Sequence, residues 1–254
     1  MALRSKSMFL YGLQVTPLNS SIDFVAVSGG PTLQATIALG YYSLTGLCEA
    51  VASAMNAADP AHQYVCTANR NVLGGLENRV TIATTGTFLS LLFGTGPRSG
   101  STVAPLIGFS ATDKTGSTSY AGFASCGTVL IPELVGYNFV SPQRSRKIFG
   151  SVNVSASGLK EAIVYQIQEF WSVSFKHEPE TKVEAEWTPL MTWMISQKPL
   201  EFTPEISSPS TFYEGTLEST AADGAGLGYM MEEMLPQFPF YYQTGTLKFR
   251  KRAV

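Results

Sequence analysis

The sequence predicts an α+β protein that is predominantly antiparallel β. It has a β-sandwich or barrel-like core and an αβ module containing one amphipathic helix. Three observations carry this reading. The first is a single helical stripe, Leu44, Leu47, Cys48, Val51, Met55 and Ala58, at steps of three and four. The second is the period-two run Ile163–Phe175. There Ile163, Tyr165, Ile167, Trp171, Val173 and Phe175 point one way and Gln166, Gln168, Ser172, Ser174 and Lys176 the other. The third is a set of short strand-like runs separated by neutral Ser, Thr and Gly turns.

In chain order, Met8–Val15 reads as a first strand, stopped at Thr16-Pro17 because proline cannot donate to a ladder. Ile22–Val27 and Leu33–Leu39 form a hairpin across Ser28-Gly29-Gly30-Pro31, whose glycines supply the positive φ of a tight turn. Gly40-Tyr41-Tyr42-Ser43 leads into the helix. Ser43 is its N-cap, Glu49 lies toward the N-terminal end of its dipole, and Asp59-Pro60 stops it. Two strands follow, Gln63–Ala68 and Arg79–Thr84, with Asn69-Arg70-Asn71 and Gly74-Gly75 between them.

Thr87–Phe93 fits either a strand or a short buried turn of helix. Gly94–Thr102 is a loop, and Val103–Phe109 a short helical turn ending at Gly108. Residues 110–127 are Ser, Thr, Gly and Ala with little apolar content, and 114–127 reads as a flexible connection or arm. Strands then follow at Thr128–Ile131, Ile148–Ser155 and Ile163–Phe175, with Glu169 marking a bulge or an interface. Thr188-Pro189 pairs an N-cap with a proline at the first helical position. It opens a short helix near 189–197 whose apolar side is Trp187, Leu190, Met191, Met194 and Ile195. Leu200–Thr203, Phe212–Ser219, Phe238–Tyr242 and Thr246–Lys251 close the chain as strands. The organisation is therefore an αβ module at 19–113, inserted into a β-rich core at 128–254, with 8–15 adding a strand to that core.

The chain has 254 residues, enough for one large core or two ordinary ones. Charged residues make up 14%, against about 25% in an ordinary globular protein. A surface poor in charge suits burial against other subunits, because desolvating ions is unfavourable. A β-rich chain with many neutral turns has the same composition. The net charge of −2 provides no general attraction to nucleic acid, and none is expected as a partner. Two short basic clusters occur, one around residues 144–147 and one at 248–252. They read as solvated edges or subunit contacts, which makes Arg144, Arg146, Lys147, Lys248 and Arg250 candidate oligomer or partner contacts.

Cys48, Cys66 and Cys126 are widely spaced, with no CxxC, so neither a zinc cage nor a disulfide framework is indicated. Cys48 lies on the apolar stripe of the helix and reads as core. The start, MALRSKSMFLYG, is too short and polar for a signal peptide, and no run approaches ~18 apolar residues. Synthesis and folding in a reducing cytoplasm, without membrane insertion, is the expectation.

Catalytic, cofactor-binding and metal-ligating residues are not found. Gly94–Thr102 lacks the lysine of a phosphate loop, because Ser101 follows Gly100. Gly224-Ala225-Gly226-Leu227-Gly228 is not GxGxxG. His62 and His177 are the only histidines, with neither GxSxG nor HExxH present, and 177–180 reads as a solvated turn. A hydrolase stays open only through carboxylates such as Glu184 and Glu186, whose pairing would be spatial. Aromatic residues concentrate in the second half. They suit a carbohydrate-binding platform, or the commoner case of a sandwich core or ring interface.

The run Leu39–Ala58, the strand pair after it, Phe88–Gly96 (FLSLLFGTG) and Pro105–Phe109 (PLIGF) resemble a module in virion proteins of tailed bacteriophages. In that module a G-x-Y-s turn leads into a helix, two strands and a terminal LLGF-like element. Ile107 stands where the pattern has Leu. The second half resembles the β-rich core of phage distal-tail and minor tail proteins. That likeness rests on the long alternating strand, the Thr-Pro helix, the LEFTPE strand and LKFR at Leu247–Arg250. The resemblance implies a non-enzymatic structural protein of the virion tail, made in the host cytoplasm. It would form a homo-oligomeric ring in the tail tip, baseplate or tube region and contact other phage tail proteins. No catalytic residue or cofactor is carried over. The alternative is a carbohydrate- or host-receptor-binding module.

Overall fold

The computed structural model describes residues 7–70, 78–132, 143–154, 157, 160–175, 178–204, 212–218, 232–233, 240–244 and 246–251. The chain is α+β and predominantly antiparallel β, and it divides into two compact units. One is built on Phe9–Val129. The other is built on Leu130–Glu205 and Thr211–Val254, together with Met8.

The first unit carries β1 (Met8–Tyr11) apart from Met8, β2 (Leu13–Val15), β3 (Ser21–Val25), β4 (Leu33–Thr36), β5 (Gly40–Tyr42), α1 (Leu44–Ala58), β6 (Tyr64–Asn69), β7 (Arg79–Thr84), β8 (Leu89–Leu91), β9 (Lys114–Ser117), β10 (Ser119–Ala121) and β11 (Thr128–Leu130) apart from Leu130. Its strands form sheets in the orders β4-β3-β8-β9, β10-β7-β6 and β2-β5. Gly12, at φ +88°, separates β1 from β2 where the sequence reads as one strand. Because β2 pairs with β5, Leu13–Val15 belongs to this unit and not to the 128–254 core.

Helix α1 follows the predicted stripe. Leu44, Leu47, Val51 and Met55 are fully buried beside Ile22, Phe24, Val80 and Ile82. The Ser43 hydroxyl accepts from Gly46 N at 3.0 Å, and Asp59 N closes the other end on Met55 O. Glu49 lies past the first turn, where the dipole contributes little. Thr87–Phe93 resolves as a strand, β8, paired to β3 and β9.

Residues 114–127, expected as a connection or arm, instead supply β9, paired to β8, and β10, paired to β7. Backbone hydrogen bonds hold these strands, so they show no apolar alternation. The loop Gly94–Thr102 is clasped by a buried ion pair. Arg98 Nε donates to Asp23 Oδ1 at 2.9 Å, Arg98 N to Asp23 Oδ2 at 2.6 Å, and Arg98 Nη2 to the Ala35 carbonyl at 2.9 Å.

The second unit carries β12 (Gln143–Val154), β13 (Lys160–Val173), β14 (Glu178–Pro179), α2 (Glu180–Lys182), a π-helical turn (Val183–Trp187), α3 (Thr188–Ile195), β15 (Leu200–Thr203), β16 (Tyr213–Leu217), β17 (Glu232–Glu233), β18 (Tyr241–Gln243) and β19 (Leu247–Lys251). Its main sheet runs β15-β16-β19-β13-β12, and a small one runs β14-β18-β17. Thr188 is not an N-cap. It lies at φ −58°, ψ −45° inside a helical stretch that begins at Glu180 and passes through the π turn. Trp187, Leu190, Met191, Trp193 and Met194 are buried, while Ile195 is exposed.

The run 177–180 is not simply a solvated turn. Glu178 is fully buried and accepts from Trp187 Nε1 at 2.9 Å, while His177 lies outside the described residues. The glycines at 224–228 also lie outside them.

Candidate assembly surface

Strands β12 and β13 pair along their length, from Gln143 opposite Ser172 to Val154 opposite Lys160. The main sheet uses only part of them, because β13 meets β19 at Phe170–Val173 alone. From Arg146 and Glu169 outward the two strands continue as a two-stranded ribbon. Ten residues of β13, Lys160–Glu169, are about 30 Å of strand at ~3.3 Å per residue. Among the described residues neither outer edge of this overhang has a strand partner.

The predicted alternation holds over Trp171–Phe175 and is lost along the ribbon, where residues 165–167 are all exposed and the register shifts. Trp171, Val173 and Phe175 are buried. Further out, Ile167 is 59% exposed and Tyr165 69% exposed, and Ile148, opposite Ile167, is 63% exposed. Tyr165 sits at the register shift between Phe149 and Gly150, and its hydroxyl bonds Ser151 Oγ at 2.8 Å. The bulge is therefore there and not at Glu169.

Glu169 instead marks the root of the ribbon. Its Oε1 accepts from Arg146 Nε at 2.8 Å, and its Oε2 accepts from Lys251 Nζ at 3.0 Å. Lys251 and Arg146 hold its carboxyl below the usual range.

Directly paired residues share a face of a sheet, so the register divides the five candidate cations. Arg144 and Arg146 lie on the Trp171 face, while Lys147, Lys248 and Arg250 lie on the other. Arg144 Nε donates to Tyr213 OH at 3.0 Å, with its guanidinium 4.8 Å from that ring centroid. Lys147 stands over Phe149 at 5.1 Å and Lys248 over Phe170 at 4.8 Å, both cation–π distances. Arg250 approaches Glu218 at 3.9 Å.

Sequence reasoning missed Tyr213 and the solvent-facing Ile148 and Ile167 as parts of one surface with the basic clusters. One signal was available. A run as long as Ile163–Phe175 exceeds the four or five residues of strands such as Leu200–Thr203, so part of it must outrun its neighbours.

The other residues weighed for chemistry lie elsewhere in the chain. His62 Nδ1 lies 2.8 Å from Asp59 Oδ2, which also accepts from Tyr64 OH at 2.7 Å, fastening the end of α1 to β6. Burial raises the Asp59 carboxyl, but the bonds from Tyr64, His62 and Ala61 outweigh it, leaving its pKa below the ordinary value. Glu184 and Glu186 are exposed on the π turn. Among the described residues no three His, Cys, Asp or Glu side chains converge on a metal site, and no helix is long and apolar enough to cross a membrane. The sequence matches no protein-family model and no curated protein.

Proposed function

We propose that the chain is a non-enzymatic structural protein of a phage tail. Its copies assemble as a ring in the tail tip, baseplate or tube region and contact other tail proteins. The ribbon of β12 and β13 carries this reading, with neither outer edge paired among the described residues and Ile148, Ile167 and Tyr165 turned to solvent. Two strands alone are at best marginally stable in water, and exposed edges recruit further strands. Pairing β12 of one copy with β13 of the next satisfies both edges of every copy once the ring closes. The low charge content and the resemblance to tail proteins support the same reading.

A glycan-binding platform needs rings free to stack on a sugar. Trp171, Trp187 and Trp193 are all buried, so the tryptophans supply no such platform, and the exposed rings of the second half are Phe149, Tyr165, Phe240 and Tyr241 among the described residues. Electron microscopy of the purified chain, with mass spectrometry of virions that encode it, tests the proposal. Rings and presence in the particle are expected. A chain that stays monomeric at every concentration and is missing from virions would remove it.

A further inference from the structure

The ribbon has two unlike sides, and a β-bulge sorts them. By register Ile148 and Ile167 stand opposite each other on the Trp171 side, and alternation along β12 adds Val154 to them; all three are exposed. Plain alternation would place Tyr165, two residues before Ile167, on the same side. The pairing steps instead from Phe149 opposite Gln166 to Gly150 opposite Val164, leaving Tyr165 as the extra residue. Its hydroxyl bonds Ser151 Oγ at 2.8 Å, and Ser151 alternates with Ile148, so Tyr165 reaches round to the other side. There it joins the exposed Lys147, Phe149 and Gln166. The bulge thus takes a hydroxyl off the aliphatic side and sets it among polar neighbours.

The ends of the aliphatic side are cationic. At the root stand Arg144, Arg146 and Lys251, with Glu169 as the acid on this side among the described residues of β12, β13, β16 and β19. Glu169 is already held by Arg146 and Lys251, so a positive excess remains. At the tip Lys160, opposite Val154, is exposed. Two copies laid face to face would set these cations against one another, whichever way the ribbons ran. A partner with carboxylates at those ends is the complementary one. The width of the ribbon selects its shape. Two strands occupy about 9.6 Å, twice the ~4.8 Å between neighbours, against 8–10 Å between packed helices. One helix therefore covers one ribbon, alone or within a ring. From Arg146 to Val154 is about 26 Å of strand, the length of roughly 18 helical residues.

We infer that the aliphatic side of the ribbon docks an amphipathic helix of another protein. Its apolar stripe covers Ile148, Ile167 and Val154, and its carboxylates meet Arg144 and Arg146 at the root and Lys160 at the tip. Assembly of copies uses the edges of the ribbon and this contact uses its face, so either can fail without the other.

The probe is a labelled synthetic peptide of about 18 residues with a leucine stripe and glutamates at both ends, compared with the same peptide carrying lysines in their place. Fluorescence anisotropy measures both against the full chain, at a concentration where sedimentation velocity shows single copies. The acidic peptide should bind roughly tenfold or more tightly than the lysine one. Ile148→Ser with Ile167→Ser should weaken it by a similar factor, while Tyr165→Phe, on the other side, leaves it unchanged. Because the isoleucine change can loosen the ribbon itself, Lys160→Glu at the exposed tip is a second variant. It should weaken the acidic peptide and not the lysine one. Equal binding of the two peptides, or no binding of the acidic one, overturns the proposal, as does binding that ignores the isoleucine change. A chain that binds the peptide yet never forms rings removes the assembly reading and leaves this one; rings that ignore the peptide do the reverse.

Discussion

Ile148 of β12 lies directly opposite Ile167 of β13, and both side chains face solvent on a ribbon that has left its sheet. In an isolated domain such a pair gains nothing from burial. It becomes useful only when another surface covers it. Replacing both with lysine should leave the thermal unfolding of the free chain nearly unchanged, since neither residue is in the core. The same change should weaken self-association at least tenfold, measured by sedimentation velocity, because each contact would bring a lysine on β12 of one copy against a lysine-bearing β13 of the next.

The clasp between Asp23 and Arg98 sets the stability of the first unit. Asp23 is buried, and Arg98 supplies both the charge and the hydrogen bonds that compensate it. Removing one partner of a buried pair leaves an uncompensated charge, at a cost of about 3–5 kcal/mol. Arg98→Ala should lower stability by that amount in urea unfolding, with Asp23→Asn in the same background recovering part of the loss.

Gly108 ends the helical turn of the PLIGF segment at φ +75°, and its carbonyl accepts from Phe123 N at 2.9 Å and Ala124 N at 3.1 Å. A Cβ at this position would lie 2.2 Å from the Ala124 carbonyl oxygen. Gly108→Ala should destabilise by at least ~1–3 kcal/mol, since backbone strain and a backbone clash combine. Gly100→Ala is the control. A Cβ there meets nothing, and little change is expected in the same denaturation experiment.

Asp59 gives a pH dependence of known sign. Its folded pKa is below the ordinary 3.8, so the stabilisation is present above the unfolded value and is lost as pH falls through the folded one. Tyr64→Phe removes one of the bonds that lower it. The variant should unfold at higher pH than the parent in an acid titration followed by circular dichroism, and converge in slope with it above pH ~5.

Much of this was legible in the sequence, and the rest was hidden for identifiable reasons. Helix α1 announced itself because Leu44, Leu47, Val51 and Met55 all serve one core. The alternation of Ile163–Phe175 was also visible, but a period of two says only that one side is apolar, not what covers it. Residues 114–121 looked like an arm because Lys114–Ser117 and Ser119–Ala121 pair through backbone groups that no side-chain pattern records. Thr188-Pro189 looked like a helix start, yet proline is also accommodated where a π turn passes into an α-helix. The Asp23–Arg98 pair spans 75 residues of sequence, and nothing local to either residue points to the other.

Hydrogen exchange tests the central claim, that the ribbon joins one copy to the next. The outward-facing amides of Arg146–Val154 and Lys160–Gln168 should exchange rapidly in the free chain and become protected on assembly, while α1 is unchanged. Equal protection of the ribbon in free and assembled chain would contradict the account.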